Sequence, residues 1–168
     1  MKLCEIAKQL DPHAEIKEWL DKHEIRNYTI RPDGIVDVDS NLDLSQVRDK
    51  ILPVQFGKVS GRVYCGHAQL TSLQGAPQYV GGDFSCWQIK MLSYSGIDKN
   101  IKRIDGIFLG HEDATHLLGL LLVKGIKQIL INNSGPTDKI MNKYLGTGDI
   151  LSAQDELIDA GLFDQARL

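Results

Sequence analysis

The chain has 168 residues, 42% of them hydrophobic and 24% charged, with a formal net charge of −3. That size fits one domain burying roughly 70% of the surface its unfolded form exposes. The densest basic stretch, Lys99 to Arg103, holds three cations in five residues, so composition argues against a general nucleic-acid binder. The longest apolar run, Leu117 to Val123, falls far short of the ~20 residues of a membrane span. The opening MKLCEIAKQL mixes charges with apolar positions, unlike a secretory signal. Cys4, Cys65 and Cys86 form no CxxC pair, which fits reduced thiols in a cytoplasm.

In chain order, residues 3–10 show a short apolar face. Asp11-Pro12 then reads as an N-cap and first-turn proline of a helix through about His23, with Ile16, Trp19 and Leu20 inward. Tyr28 to Ile30 and Ile35 to Val38 flank Pro-Asp-Gly, the signature of a small hairpin. Two stretches then align without a gap at a displacement of 21: Val59-x-Gly61-x-Val63-x-Cys65 and Val80-x-Gly82-x-Phe84-x-Cys86. Val38-x-Ser40-x-Leu42-x-Leu44 falls in the same frame one step earlier, and Ile104-x-Gly106-x-Phe108-x-Gly110 falls 24 residues later. A degraded fifth turn ends at Ile129-Leu-Ile131.

Alternation of period two marks strands with one buried face, and a fixed period in the twenties marks stacked turns that share a core. The frame predicts internal ladders of Leu42, Val63, Phe84 and Phe108, and of Leu44, Cys65 and Cys86. Gly61, Gly82 and Gly106 form a third, where the turns approach closely. Gly75-Ala76-Pro77 marks a return loop. Beyond the repeats, Asp113 is expected to cap a helix through Lys124 that ends at Gly125. A strand over Ile126–Ile131 and helices over Thr137–Leu145 and Ser152–Ala160 follow. The expected fold is α/β (with α+β as the alternative), a short leucine-rich-repeat-like parallel β-solenoid of about 4–5 turns capped by helices at both ends. It forms a single domain with an N-terminal cap over 1–37, repeats over 38–110 and a C-terminal cap over 111–168.

The stretch LTSLQGAPQYVGGDFSC (70–86) resembles the repeat of leucine-rich-like proteins of tailed bacteriophages, whose units read close to LTSLxGAPxxVGGxFxC. NYTIRPDGIVDVDSNLDLS and ILSAQDELIDAGLFDQARL resemble the flanks of that family. The unit at 52–65 lacks the Gly-Ala-Pro, and the unit at 92–110 carries three extra residues. The resemblance implies expression in the cytoplasm of an infected bacterium and a role in host takeover or counter-defence. It supplies no catalytic residue.

Chemical motifs give way to structural readings. His111 and His116 are five apart, about 140° around a helix, so they do not form the zinc pair of a metalloprotease. Cys65, His67 and Cys86 suggest a zinc site, but the cysteines stand in the inward frame and no fourth ligand is specified. Asp37-x-Asp39 and Asp155-Glu156 read as solvated faces. Gly57-K-V-S-Gly61 lacks the lysine placement of a phosphate loop. No nucleophile context resembles a hydrolase elbow, so no catalytic residue, metal or cofactor is assigned.

The outward positions remain. They stack as columns of Asp39, Ser60, Gly81 and Asp105; of Asn41, Arg62, Asp83 and Ile107; and of Asp43, Tyr64, Ser85 and Leu109, with Trp87 just beyond a strand end. An aromatic and aliphatic cluster in a polar rim is the character of protein-binding surfaces. Arg62, Tyr64, Asp83, Ser85, Trp87, Ile107 and Leu109 are therefore the expected contacts of a host or phage protein, with self-association a further option. The expected function is a binding module that inhibits or redirects a host protein such as a defence enzyme or toxin. The rival readings are a small enzyme acting on nucleotide or nucleic acid and a virion structural or assembly component.

Overall fold

Each repeat turns a corner. In the computed structural model, which describes residues 11–89, 93–111, 113–131 and 134–168, the repeats from Val38 to Leu109 each lay down two short strands separated by a bend, Asp39-Ser40-Asn41 in the first and glycine-containing in the next three. The first strands build sheet A: β1 (Tyr28–Ile30), β2 (Val36–Val38), β4 (Phe56–Val59), β6 (Tyr79–Val80) and β8 (Arg103–Ile104). The second strands build sheet B, in the order β10 (Gln128–Leu130), β9 (Ile107–Leu109), β7 (Phe84–Ser85), β5 (Val63–Tyr64) and β3 (Leu42–Asp43). All pairings are parallel except the β1–β2 hairpin, which is antiparallel around the Pro-Asp-Gly turn.

The register matches the repeat frame. Leu42 pairs with Val63, Val63 with Phe84, Phe84 with Phe108 and Phe108 with Ile129. Val38, Val59, Val80 and Ile104 pair likewise across sheet A. All nine side chains are buried, giving two inner ladders that meet at the bend. Near-parallel rings of Phe84 and Phe108, 5.8 Å apart, and Tyr94 edge-on to Phe108 at 5.4 Å pack together in the core. The bend tolerates little bulk. A Cβ on Gly106 would stand 2.6 Å from the Gly82 carbonyl oxygen and 2.5 Å from Asp83 Oδ1, so the glycine ladder is a condition of close stacking.

Side chains also staple one turn to the next. Asn41 Oδ1 accepts from the Arg62 amide and Asp83 Oδ1 from the Ile107 amide, both at 2.9 Å. Asp37 Oδ1 accepts from the Lys58 amide at 2.7 Å while its carboxylate pairs with Arg31. Asp37 is thus a structural clasp rather than a merely solvated acid, a correction to the sequence reading. Burial pushes its pKa up, but the Arg31 guanidinium and the Lys58 amide outweigh that and hold it below the usual carboxylate range.

The caps differ in part from expectation. Helix α1 runs Ala14–Lys22 and starts later than Asp11-Pro12 implied. Asp11 instead closes a turn ahead of it, accepting from the Ala14 and His13 amides and from Lys17 Nζ. Leu20 is buried, and Trp19 packs toward Phe56 and donates to Asp49. The short apolar face expected over residues 3–10 lies outside the described residues. No α-helix spans 113–124. Thr115 bridges Ser93, Leu118–Leu122 form a 3-10 turn, and Lys124 bridges Arg103, so this apolar stretch forms a further, irregular turn of the solenoid. Its leucines Leu117, Leu118 and Leu120 face the core. Before it, α2 (Ile97–Asn100) fills the insertion of the longer repeat. After it, α3 (Pro136–Tyr144) and α4 (Ile150–Asp159, capped by Asp149) close the C-terminal end. No helix among the described residues is long and apolar enough to cross a membrane.

Candidate protein-binding face on sheet B

The outward columns stand where the frame put them. Asp43, Tyr64, Ser85 and Leu109 are successive register partners, and Leu130 continues the column on β10. Tyr64 is 41% exposed and Trp87 52% exposed. Ser85, Ile107, Leu109 and Leu130 are half-buried. Trp87, Leu109, Gly110, Leu130 and Ile131 line a shallow cleft of about 160 Å³. Gly110 forms its floor: a Cβ there would stand 2.5 Å from Ile131 Cδ1.

Two local features fix the aromatic pair. Tyr64 lies over Gly66, whose absent Cβ would fall 2.7 Å from the Tyr64 hydroxyl and 3.0 Å from the Trp87 carbonyl oxygen. Just beyond, His67 and Gln88 occupy equivalent positions 21 residues apart and both adopt left-handed φ, 67° and 65°. Such a conformation is costly for a residue with a Cβ, and its repetition turns the chain sharply after each cysteine, leaving Trp87 at the rim. Arg62 and Asp83 form an ion pair at 3.2 Å. Asp83 is committed to the Ile107 amide as well, so it serves as a rim staple, whereas Arg62 keeps an exposed side chain.

Beneath this face the thiols are sealed. Cys65 and Cys86 are fully buried and free. Cys86 Sγ lies 3.1 Å from Tyr94 Oη and 3.4 Å from the Leu109 carbonyl. Burial pushes the Cys86 thiol up to about 12 and the Cys65 thiol well above its ordinary range, the environment of an inert packing cysteine rather than a thiolate nucleophile. His67 is exposed, whereas both sulfurs lie in the core. Among the described residues no group of three or more His, Cys, Asp or Glu side chains is placed to hold a metal ion.

One juxtaposition was not visible in the sequence. Ser93 Oγ lies 3.1 Å and Thr115 Oγ1 3.0 Å from His116 Nδ1. Ser93 Oγ also accepts from the Ser95 amide, and the Ser93–Thr115 bridge joins the two segments. The three side chains therefore lock the irregular turn onto its neighbour. Leu130 and Ile131 were likewise missed as parts of the cleft, although the fifth-turn assignment at Ile129 carries their positions.

No protein-family model, no curated protein and no solved structure matches this chain.

Proposed function

We propose that the protein is a binding module that engages another protein through the sheet B face, with Tyr64 and Trp87 as anchors, Leu109 and Ile107 as the apolar floor and Arg62 and Ser85 at the rim. The observation that carries this reading is the exposed pair of aromatics beside an apolar cleft, held on a rigid parallel ladder. Aromatic side chains offer large contact area with few rotors to freeze, and with arginine they dominate binding hot spots. Asp83 contributes by fixing Arg62 and the bend. The bacteriophage-like repeat supports a partner of host or phage origin in the cytoplasm of an infected bacterium, with inhibition or redirection of a host defence enzyme or toxin as the outcome. The buried, protonated thiols beneath this face are unsuited to nucleophilic attack.

The test is capture of a partner from infected cells by the wild-type protein and by a Tyr64→Ala/Trp87→Ala double variant. Loss of a true anchor costs roughly 2 kcal/mol or more, about thirtyfold in affinity, with melting nearly unchanged because no core contact is removed. Undiminished capture by the double variant would place the partner elsewhere.

A further inference from the structure

The opposite sheet carries a charge pattern that the linear sequence conceals. Lys58 pairs with Tyr79 and Tyr79 with Arg103 in the sheet A register, and Arg103 bridges Lys124. These four residues, separated by 21, 24 and 21 positions in the chain, stand in one column on the outer face, and all four are exposed. Tyr79 is 46% exposed. The column begins beside the Arg31–Asp37 pair and is flanked by the Arg103–Asp105 pair. Arg31, Lys58, Arg103 and Lys124 thus stand against Asp37, Asp105 and Asp33, the last acting on Arg31, so the stripe is basic in a chain whose formal charge is −3.

We infer that this column binds an extended acidic segment of a protein, with two carboxylates four residues apart and an apolar residue between them. Strands in a sheet are spaced about 4.8 Å apart, so Lys58 and Lys124 stand about 14 Å apart, and an extended chain covers about 13 Å in four residues. Carboxylates at the first and fifth positions therefore reach both lysines. The third side chain falls between Tyr79 and Arg103, against the exposed ring. A nucleic-acid strand fits less well. It carries a phosphate at every nucleotide, and some of these would face Asp37 and Asp105. This surface is on the other sheet from the Tyr64–Trp87 face and is independent of that reading.

The test titrates isotope-labelled full-length protein at low salt with the blocked peptide Gly-Glu-Gly-Leu-Gly-Glu-Gly, followed by amide NMR. The inference expects saturable shifts centred on Lys58, Tyr79, Arg103 and Lys124, with a Kd on the order of 1 mM. A Lys58→Glu/Lys124→Glu variant, whose spectrum reports its own folding, should bind at least about tenfold more weakly. Shifts that are equal with the glutamine-for-glutamate peptide would overturn the inference. So would shifts outside the column, undiminished binding by the variant, or tighter binding of octathymidylate to the same residues.

Discussion

Cys86 shows how one residue reports on the packing around it. Its sulfur sits between the Tyr94 hydroxyl and the Leu109 carbonyl, and burial raises its pKa from 9.0 to about 12. Below pH 9 the thiol is protonated in both folded and unfolded chains and adds no pH dependence. Above pH 9 the unfolded chain releases the proton while the folded chain keeps it, so stability falls from pH 9 to about 12. The urea midpoint is expected to fall between pH 8.5 and 10.5, and Cys86→Ala should flatten part of that slope even if it lowers the midpoint throughout. An unchanged slope would show that the thiol is not sealed. The inward position of Cys86 was legible because the strand period is two and its equivalents are Leu44 and Cys65. Tyr94, which completes the pocket, was not, because it lies in the inserted part of the longer repeat where the frame slips.

Among the elements, strands were easier to read than the irregular turn. A strand here is a short alternating motif repeated at fixed displacement, so each copy supports the others. Leu117 to Val123 has no such partner, and its dense leucines satisfy a helix face and a buried turn equally well. Stacking decided the outcome, since Tyr94 and Lys102 bond the backbone on either side of this segment, at Thr115 and Lys124. Another feature lies between elements. The outer edge of β10 is closed by α3, where Asn142 accepts from the Ile129 amide through Oδ1 and donates to the Ile129 carbonyl through Nδ2. Buried Asp138 accepts from the Ile131 amide. These side chains take the place of a sixth strand, which protects an edge that would otherwise invite pairing. Asn142→Ala leaves both Ile129 groups without their partner and is expected to destabilise by about 1–3 kcal/mol, read as a lower chemical-denaturation midpoint. No change in that midpoint would mean that water replaces the clamp freely. Sequence patterning pointed to the helix but could not disclose the clamp, because Asn142 on an amphipathic helix looks like any other polar residue.

For the whole molecule, the repeat turns distant residues into neighbours on two outer faces. On sheet B, the columns through Tyr64 and Leu109 were legible because the alternation names inward and outward positions directly. The cleft between Trp87 and Ile131 was less so, since Trp87 lies past the strand end, just before left-handed Gln88, and Leu130 and Ile131 belong to the degraded fifth turn. On sheet A, the basic column escaped because each cation is isolated in sequence and only the register gathers them. The central claim is that the Tyr64–Trp87 face meets a protein partner. Its most direct measurement is photo-cross-linking in infected cells with a benzophenone amino acid placed singly at Trp87, at exposed Ile51 on a return loop, or at exposed Ile158 on α4. The account predicts one discrete adduct from position 87 and none from 51 or 158. Adducts from 158 with none from 87 would contradict it and move the binding surface to the terminal helices.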